Sequence, residues 1–557
     1  MRSASLLLTT TFGGFLLACS SGTEPDDPPS LVCDETSTEA LAVGERRILD
    51  PTEGDACVRL PEAGGTGAEH LYVPVATEGA ESDDGATAAY SLTGASVVSD
   101  PPAALRSPIL AAFRAPLAAA GFHQMLRAWE RALSQSPSAA LFNQGQAGQK
   151  AAVPPVRGEQ RTFDVCTTRE CTTFTEVAAT ARAVGQKVAI FLDDAAPAGG
   201  YSDTELEDVG SLFDDYLYPI DTAAFGRESD IDANGVVIIL LTPAVNALSR
   251  NCRVPGGSVV LGYFFGADLL PRSGRNPGSN EAEIFYGLVP DPTSPDCDIS
   301  LEYANTRLPV AFIHELQHMI SFNQHALVRG GGSEDTWLNE GLSHFAEELG
   351  GRLIPDAECP ITGSCQQEFL SGNLENAFEY LASTEDHFLI EPGNSSGELA
   401  ERGANWLFTR WLVDHFAGDS MLGTDLTRRL VATNQVGAVN VSAQTGATFS
   451  TIVPEWQMAN YLDDLPGFSQ SSSRLRYKTW NFRDPVQTLG YGYTLVPDVT
   501  DGAGYVHAGV LRAGSGRHVL ITQAGGAGAV DLRLTAPSGT EPVSSSAAPR
   551  IGLVRIR

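Results

Sequence analysis

The sequence predicts an α+β fold, and three observations carry that expectation. Residues 187–192 (Lys-Val-Ala-Ile-Phe-Leu) and 236–241 (Val-Val-Ile-Ile-Leu-Leu) are continuous apolar runs of the kind and length found in buried strands. Further along, Phe312, Ile313, Leu316, Met319 and Ile320 recur at helical spacing. At both ends of the chain, short β-like runs alternate with turn residues.

Taken in order, the chain opens with Met1-Arg2 and an apolar stretch through residue 17, too short to span a bilayer but right for an export signal over residues 1–18. It ends Leu16-Leu17-Ala18-Cys19, which resembles a bacterial lipobox, so Cys19 is the expected lipidation site and residues 19–38 a tether. The competing reading is an ordinary signal peptide with an incidental cysteine. Residues 39–100, with the run Leu71-Tyr72-Val73-Pro74-Val75, read as a small β module. Residues 101–160 hold an Ala-rich apolar stripe including Leu117, Met125, Leu126 and Trp129, expected as a packed connector or propeptide helix followed by a linker. The main domain is placed at 161–470, with a helix over 203–218 between the two apolar strands and another around Trp406 and Trp411. A separate β-sandwich-like module is expected at 484–557.

The 557 residues include 43% hydrophobic positions, ample for several cores. With 36 basic against 68 acidic residues, the net charge of −32 argues against nucleic acid and against anionic membrane surfaces as partners. Contact with a membrane is expected only through the N-terminal lipid, and the chain is expected to be a monomer. Of nine cysteines, eight remain beside Cys19, an even number that suits disulfides in an exported chain. Cys166–Cys171 and Cys359–Cys365 read as loop staples, which leaves Cys33–Cys57 and Cys252–Cys297 by proximity, although eight cysteines permit about 105 pairings.

The chemistry concentrates at His314-Glu315-Leu316-Gln317-His318. Two imidazoles at i and i+4 on one helix face can grip a zinc ion, and the glutamate beside the first can reach a metal-bound water. Pro309 is expected near the start of that helix. A third ligand is available on a second helix that Ser333 or Asp335 would cap and Gly350-Gly351 would end. There Glu340, Ser343, His344 and Glu347 share a face, with Glu340 the expected ligand and His344 the other candidate.

The His-Glu-Leu-Gln-His motif followed by Trp337-Leu338-Asn339-Glu340-Gly341-Leu342-Ser343 resembles gluzincin metallopeptidases, and its wording is similar to the hyicolysin-type family of secreted zinc peptidases. Weaker likeness extends over about 163–464, including the blocks at 230–246, 281–286, 403–414 and 456–464. The resemblance implies a gluzincin-like core with strands before the zinc helix and helices after it. It implies His314, His318 and Glu340 as zinc ligands and Glu315 as general base. Thermolysin-like relatives carry an aspartate four residues after the glutamate ligand; His344 stands there, and Glu347 is a substitute to orient a ligating histidine. Tyr380, His387, His415 and Tyr461 are unranked candidates for an oxyanion donor.

The run Asp230-Ile231-Asp232-Ala233-Asn234-Gly235 imitates the start of a calcium loop, but Leu241 occupies the place of the closing glutamate. A tight turn into the strand is the favoured reading, with calcium considered and not favoured. The functional expectation is an exported, lipid-anchored bacterial zinc endopeptidase acting on proteins or peptides at the cell envelope, with the outer membrane favoured. The rival readings are a catalytically inactive surface lipoprotein that binds partners, and a zinc hydrolase of non-peptide amides.

Overall fold

The computed structural model describes residues 33, 37–52, 56–96, 117–135, 153–249, 252, 259–393, 398–419 and 421–557. The export signal and Cys19 lie outside the described residues. The main domain begins with a sheet of order β5-β6-β7-β8-β10-β9, formed by β5 (Gln160–Cys166), β6 (Phe174–Val184), β7 (Val188–Asp193), β8 (Val237–Leu241), β9 (Gly262–Phe264) and β10 (Ile284–Gly287). β7, β8 and β10 run parallel. The first two of these are the apolar runs read from the sequence, and β8 is buried at every position because it is covered on both faces. β9 pairs antiparallel with β10 and ends the sheet, leaving one edge open.

The expected helix from residue 203 is longer than read. α1 (Leu117–Ser134) is the Ala-rich helix of the N-terminal part; α2 (Asp203–Leu212) continues through a π-turn into α3 (Tyr218–Ala224). Ser202 and Glu205 close a capping box at its start.

The helical half holds α4 (Leu301–Phe322), α5 (Thr336–Leu353), α6 (Cys365–Ala382), α7 (Leu399–Phe416), α8 (Thr424–Val431), α9 (Gly437–Thr445) and α10 (Phe449–Leu462). Two helix boundaries differ from expectation. α4 starts at Leu301, where the Ser300 side chain accepts the Tyr303 N–H at 3.0 Å, so Pro309 is internal. Gly350-Gly351 does not end α5, which runs on to Leu353. Those glycines answer a packing demand instead: a Cβ at Gly350 would lie 2.7 Å from the Phe369 ring and one at Gly351 3.0 Å from Leu370, so small residues let α6 approach.

The two terminal β modules are not separate, which corrects the sequence expectation. One sheet has the order β1-β15-β3-β13-β11, built from β1 (Arg46–Leu49), β3 (Ala68–Ala76), β11 (Asp498–Thr500), β13 (Val519–Gln523) and β15 (Pro549–Arg555). The other has the order β12-β4-β14-β2, built from β2 (Cys57–Leu60), β4 (Thr87–Ser96), β12 (Val506–Arg512) and β14 (Val530–Thr535). The ends of the chain thus interleave into one sandwich, because each supplies strands that would otherwise expose unpaired edges. Along β3 the pleat divides two cores: Tyr72 and Ala76 face the sandwich interior, while Leu71, Val73 and Val75 join the main core.

All four expected disulfides are present, at Cys33–Cys57, Cys166–Cys171, Cys252–Cys297 and Cys359–Cys365. No described helix is long and apolar enough to cross a membrane.

Because β14 and β15 sit between N-terminal strands, a chain ending near residue 484 should lose both ends of the sandwich together. Soluble yield and far-UV circular dichroism of that truncation test this; a soluble, fully folded product would support two independent modules.

Candidate metal centre

α4 and α5 pack antiparallel, as shown by the pairing of His318 with Ser343 and of His314 with Glu347. The i, i+4 spacing on α4 brings His314 Nε2 and His318 Nε2 to 3.2 Å, and α5 presents Glu340 with Oε2 3.5 Å from His314 Nε2 and Oε1 3.5 Å from His318 Nε2. Three donors bound tetrahedrally at about 2.0–2.1 Å would stand about 3.3–3.4 Å apart, so the observed separations fit a zinc-sized cation.

The donor chemistry asks for a cation as well. Glu340 is 2% exposed and neither of its oxygens makes a hydrogen bond; beyond the imidazoles, Arg402 stands 3.8 Å away. Burial opposes ionisation of Glu340, but Arg402 and the two imidazoles outweigh it and hold the carboxyl well below its usual range. About two turns further along α5, Glu348 shows what a satisfied buried carboxylate looks like here. Glu348 accepts from Trp406 and Trp480 indole N–H groups at 3.0 and 2.9 Å and pairs with Arg352 and Arg410. Glu340 has no such hydrogen bond, only the more distant Arg402, and its carboxylate stands against the imidazoles.

Neighbouring groups fix the rings. Glu347 Oε1 lies 2.6 Å from His314 Nδ1, so that ring donates from Nδ1 and offers Nε2 to a cation. Glu347 thus contacts the His314 nitrogen that the sequence reading expected an orienting carboxylate to meet. Ser343 Oγ lies 3.1 Å from His318 Nδ1 and donates to Gln317 Oε1 at 2.6 Å. Among protein groups alone, burial disfavours the charged form of both rings; Glu340 and Glu347 override this at His314 and raise its pKa to about 10, while His318 falls to about 3. His344 lies on the other side of His314, with Nδ1 3.1 Å from Glu347. It can form a group with His314 and Glu347, but His318 is not part of that group.

Gly341, next to Glu340, has its own reason. A Cβ there would come 2.4 Å from Thr409 Oγ1 and 2.8 Å from the Asn405 carbonyl, so glycine lets α7 close over the centre.

Glu315, beside His314 on α4, accepts the Phe264 N–H of edge strand β9 at 2.8 Å through Oε2. Burial raises its pKa, partly offset by His314 and Arg127. Its other oxygen lies 3.6 Å from His123 Nδ1 on α1. Arg127, one turn further along α1, donates to the Phe264 carbonyl at 2.9 Å, and Glu130 accepts the Gly266 N–H at 2.9 Å. What remains open is a cavity of about 220 Å³, lined in part by His123, Gly262, Arg307, Glu347 and Arg402.

The chain is similar to the neutral metalloprotease ShpI of Staphylococcus hyicus, at 25% identity over 217 residues. That match covers 38% of this chain and 42% of the relative, well under two thirds of its length. No family model matches the chain.

Sequence reasoning missed His123, Arg402 and the Phe264 main chain, and the four oxyanion candidates it named are occupied elsewhere. Tyr380 OH accepts from Gln457, His387 pairs with Glu398, His415 meets the Arg476 carbonyl and Tyr461 lies under the Arg483 guanidinium. Arg402 directly precedes the block at 403–414 and was the one available signal. His123 carried none, being a lone histidine on an amphipathic helix.

Glu340→Ala should abolish most zinc binding, whereas Glu347→Ala should keep the ligands and weaken affinity about 10–100-fold. Metal analysis after dialysis against a zinc buffer checks both; unchanged zinc in Glu340→Ala would move the third ligand to His344.

Proposed function

We propose that this chain is a zinc-dependent endopeptidase of the hyicolysin type. The observation that supports it most is the convergence of two Nε2 atoms and an unsatisfied carboxylate, with Glu315 next to the first ligand. In this reading His314, His318 and Glu340 hold the ion, and zinc, when bound, activates a water and polarises the scissile carbonyl. Phe264 N–H steadies Glu315 Oε2, so Oε1 takes the proton of the attacking water and delivers it to the leaving amine nitrogen. Arg402, on the cavity wall and 3.8 Å from Glu340, is placed to stabilise a developing oxyanion. The similarity to a neutral metalloprotease favours proteins or peptides as substrates over other amides. Export is supported by the disulfides, and a lipid on Cys19 by the sequence around it.

In the same reading α1 is an inhibitory propeptide helix. An extended substrate would add to the free edge of β9, but the Phe264 N–H is held by Glu315 and its carbonyl by Arg127. His314, Glu315, His318 and Glu340 are all at most 5% exposed, and the residual cavity is smaller than usual ligand sites of about 300–1,000 Å³. α1 is seated by buried Phe122, whose ring meets Tyr263 edge-on at 5.1 Å, and by buried Leu126.

Glu315→Gln should retain zinc and fold while losing at least about a hundredfold in turnover of casein. An active, zinc-loaded Glu315→Gln protein would overturn the mechanism, and a wild type that binds zinc but cleaves nothing would favour the binding-module reading.

Phe122→Ala with Leu126→Ala removes side chains of a kind worth about 2–5 kcal/mol each when buried, enough to loosen α1. Casein hydrolysis should rise in that variant. A fall in hydrolysis, with zinc and melting temperature preserved, would make α1 part of the working enzyme.

A further inference from the structure

A second group of oxygen ligands is built where strands β8 and β10 begin. One carboxylate oxygen from each of Asp230, Asp232 and Glu283 lies within 4.8 Å of the others. The turn at 230–235 is closed by its own side chains: Asp230 accepts the Gly235 N–H at 3.0 Å, Asp232 the Asn234 N–H at 3.1 Å and Asn234 the Val236 N–H at 2.8 Å. The turn favoured from the sequence is therefore present, but its bonds leave Glu283 unexplained.

Glu283 comes from a different part of the chain, immediately before β10, where its carbonyl accepts the Ile238 N–H of β8 at 2.7 Å. It is 1% exposed. Its Oε1 accepts from Ile231 N–H at 2.9 Å and from Ser229 Oγ at 2.5 Å, while Oε2 is buried with no hydrogen-bond partner. A buried carboxylate with an unpartnered oxygen, gathered with two aspartates, calls for a cation. Burial pushes the Glu283 carboxyl up to about 7 and raises Asp232, as expected for acidic groups gathered without one.

We propose that Asp230, Asp232 and Glu283 bind a calcium ion. The donors are all oxygens, which selects a hard cation over zinc. Asp230 is on the exposed side, so water can fill the remaining places of a flexible shell of about 6–8 oxygens, a shell calcium accepts more readily than magnesium. The linear calcium-loop pattern fails because Leu241 takes the place of the closing glutamate and is buried as the last residue of β8. The sheet repairs that deficit through space, with Glu283 supplying the carboxylate from the neighbouring strand.

Such an ion would tie β8 to β10, and β10 holds the edge strand β9. The segment just before the site is also fastened to the end of the histidine helix: the Arg227 carbonyl accepts from Asn323 and Gln324 side chains at 2.9 and 2.7 Å. Calcium would therefore stiffen the frame of the metal centre without entering it.

The test is calcium titration of the zinc-loaded full chain by calorimetry, with thermal unfolding followed in parallel. We expect about one calcium per chain, a Kd of about 10⁻⁴–10⁻³ M as in extracellular calcium modules, and a melting temperature that climbs with calcium concentration. Zinc content should not change, and His318→Ala should keep the full calcium response, separating this site from the catalytic one. Glu283→Gln keeps the acceptor for Ile231 and removes the charge, so it should weaken calcium binding at least about tenfold; Asp232→Asn should do the same if Glu283→Gln folds poorly. No heat and no melting shift at about ten times the expected Kd, or an unaltered response in both variants, would overturn the proposal.

Discussion

A buried carboxylate without a hydrogen bond is costly in a folded chain, and Glu340 is held in that condition between two imidazole nitrogens. The surrounding core is shaped to keep it there. α4 and α5 run antiparallel so that a two-histidine turn faces a carboxylate, Glu347 and Ser343 fix the rings, and Gly341 lets α7 press from behind. A cation is the group that turns these separate costs into a favourable centre, because it neutralises the carboxylate and satisfies both nitrogens at once. The contrast with Glu348, about two turns further along the same helix and paired with indoles and guanidinium groups, shows that this core can satisfy a buried carboxylate with protein groups alone.

The sheet contributes its edge to the same centre. β9 ends the sheet, and its Phe264 N–H orients the glutamate that neighbours the first histidine. The sheet edge next to Glu315 is covered by α1 through Arg127, Glu130 and the Phe122 ring. The sandwich supports this half of the molecule from another side. Gln457 on α10 donates to the Gly514 carbonyl, and His518 Nε2 lies 2.7 Å from the Gln457 carbonyl. β3 shares its two faces between the sandwich and the main core, so the termini brace the helical half as well as closing on each other.

Much of the centre was legible because its information is local. Helical spacing alone places His314 and His318 on one face, and the same rule groups Glu340, Ser343 and Glu347 on the next helix. Buried strands announced themselves as apolar runs, and short cysteine separations led to the four disulfides that form. Helix ends were less legible, since Gly350-Gly351 looks like a stop signal but serves close packing against Phe369 and Leu370.

By itself the sequence determined the candidate ligand types, their spacing along each helix and the acidic, cysteine-paired character of the chain, because these depend on composition and on neighbours a short distance apart. Tertiary structure alone decided three other things. It brought Phe264, His123 and Arg402 to Glu315 and Glu340, interleaved strands from both ends into one sandwich, and set Glu283 beside Asp230 and Asp232. Each joins residues tens to hundreds of positions apart, and such pairings follow from which faces pack and which edges close, quantities that no local pattern of residue types encodes.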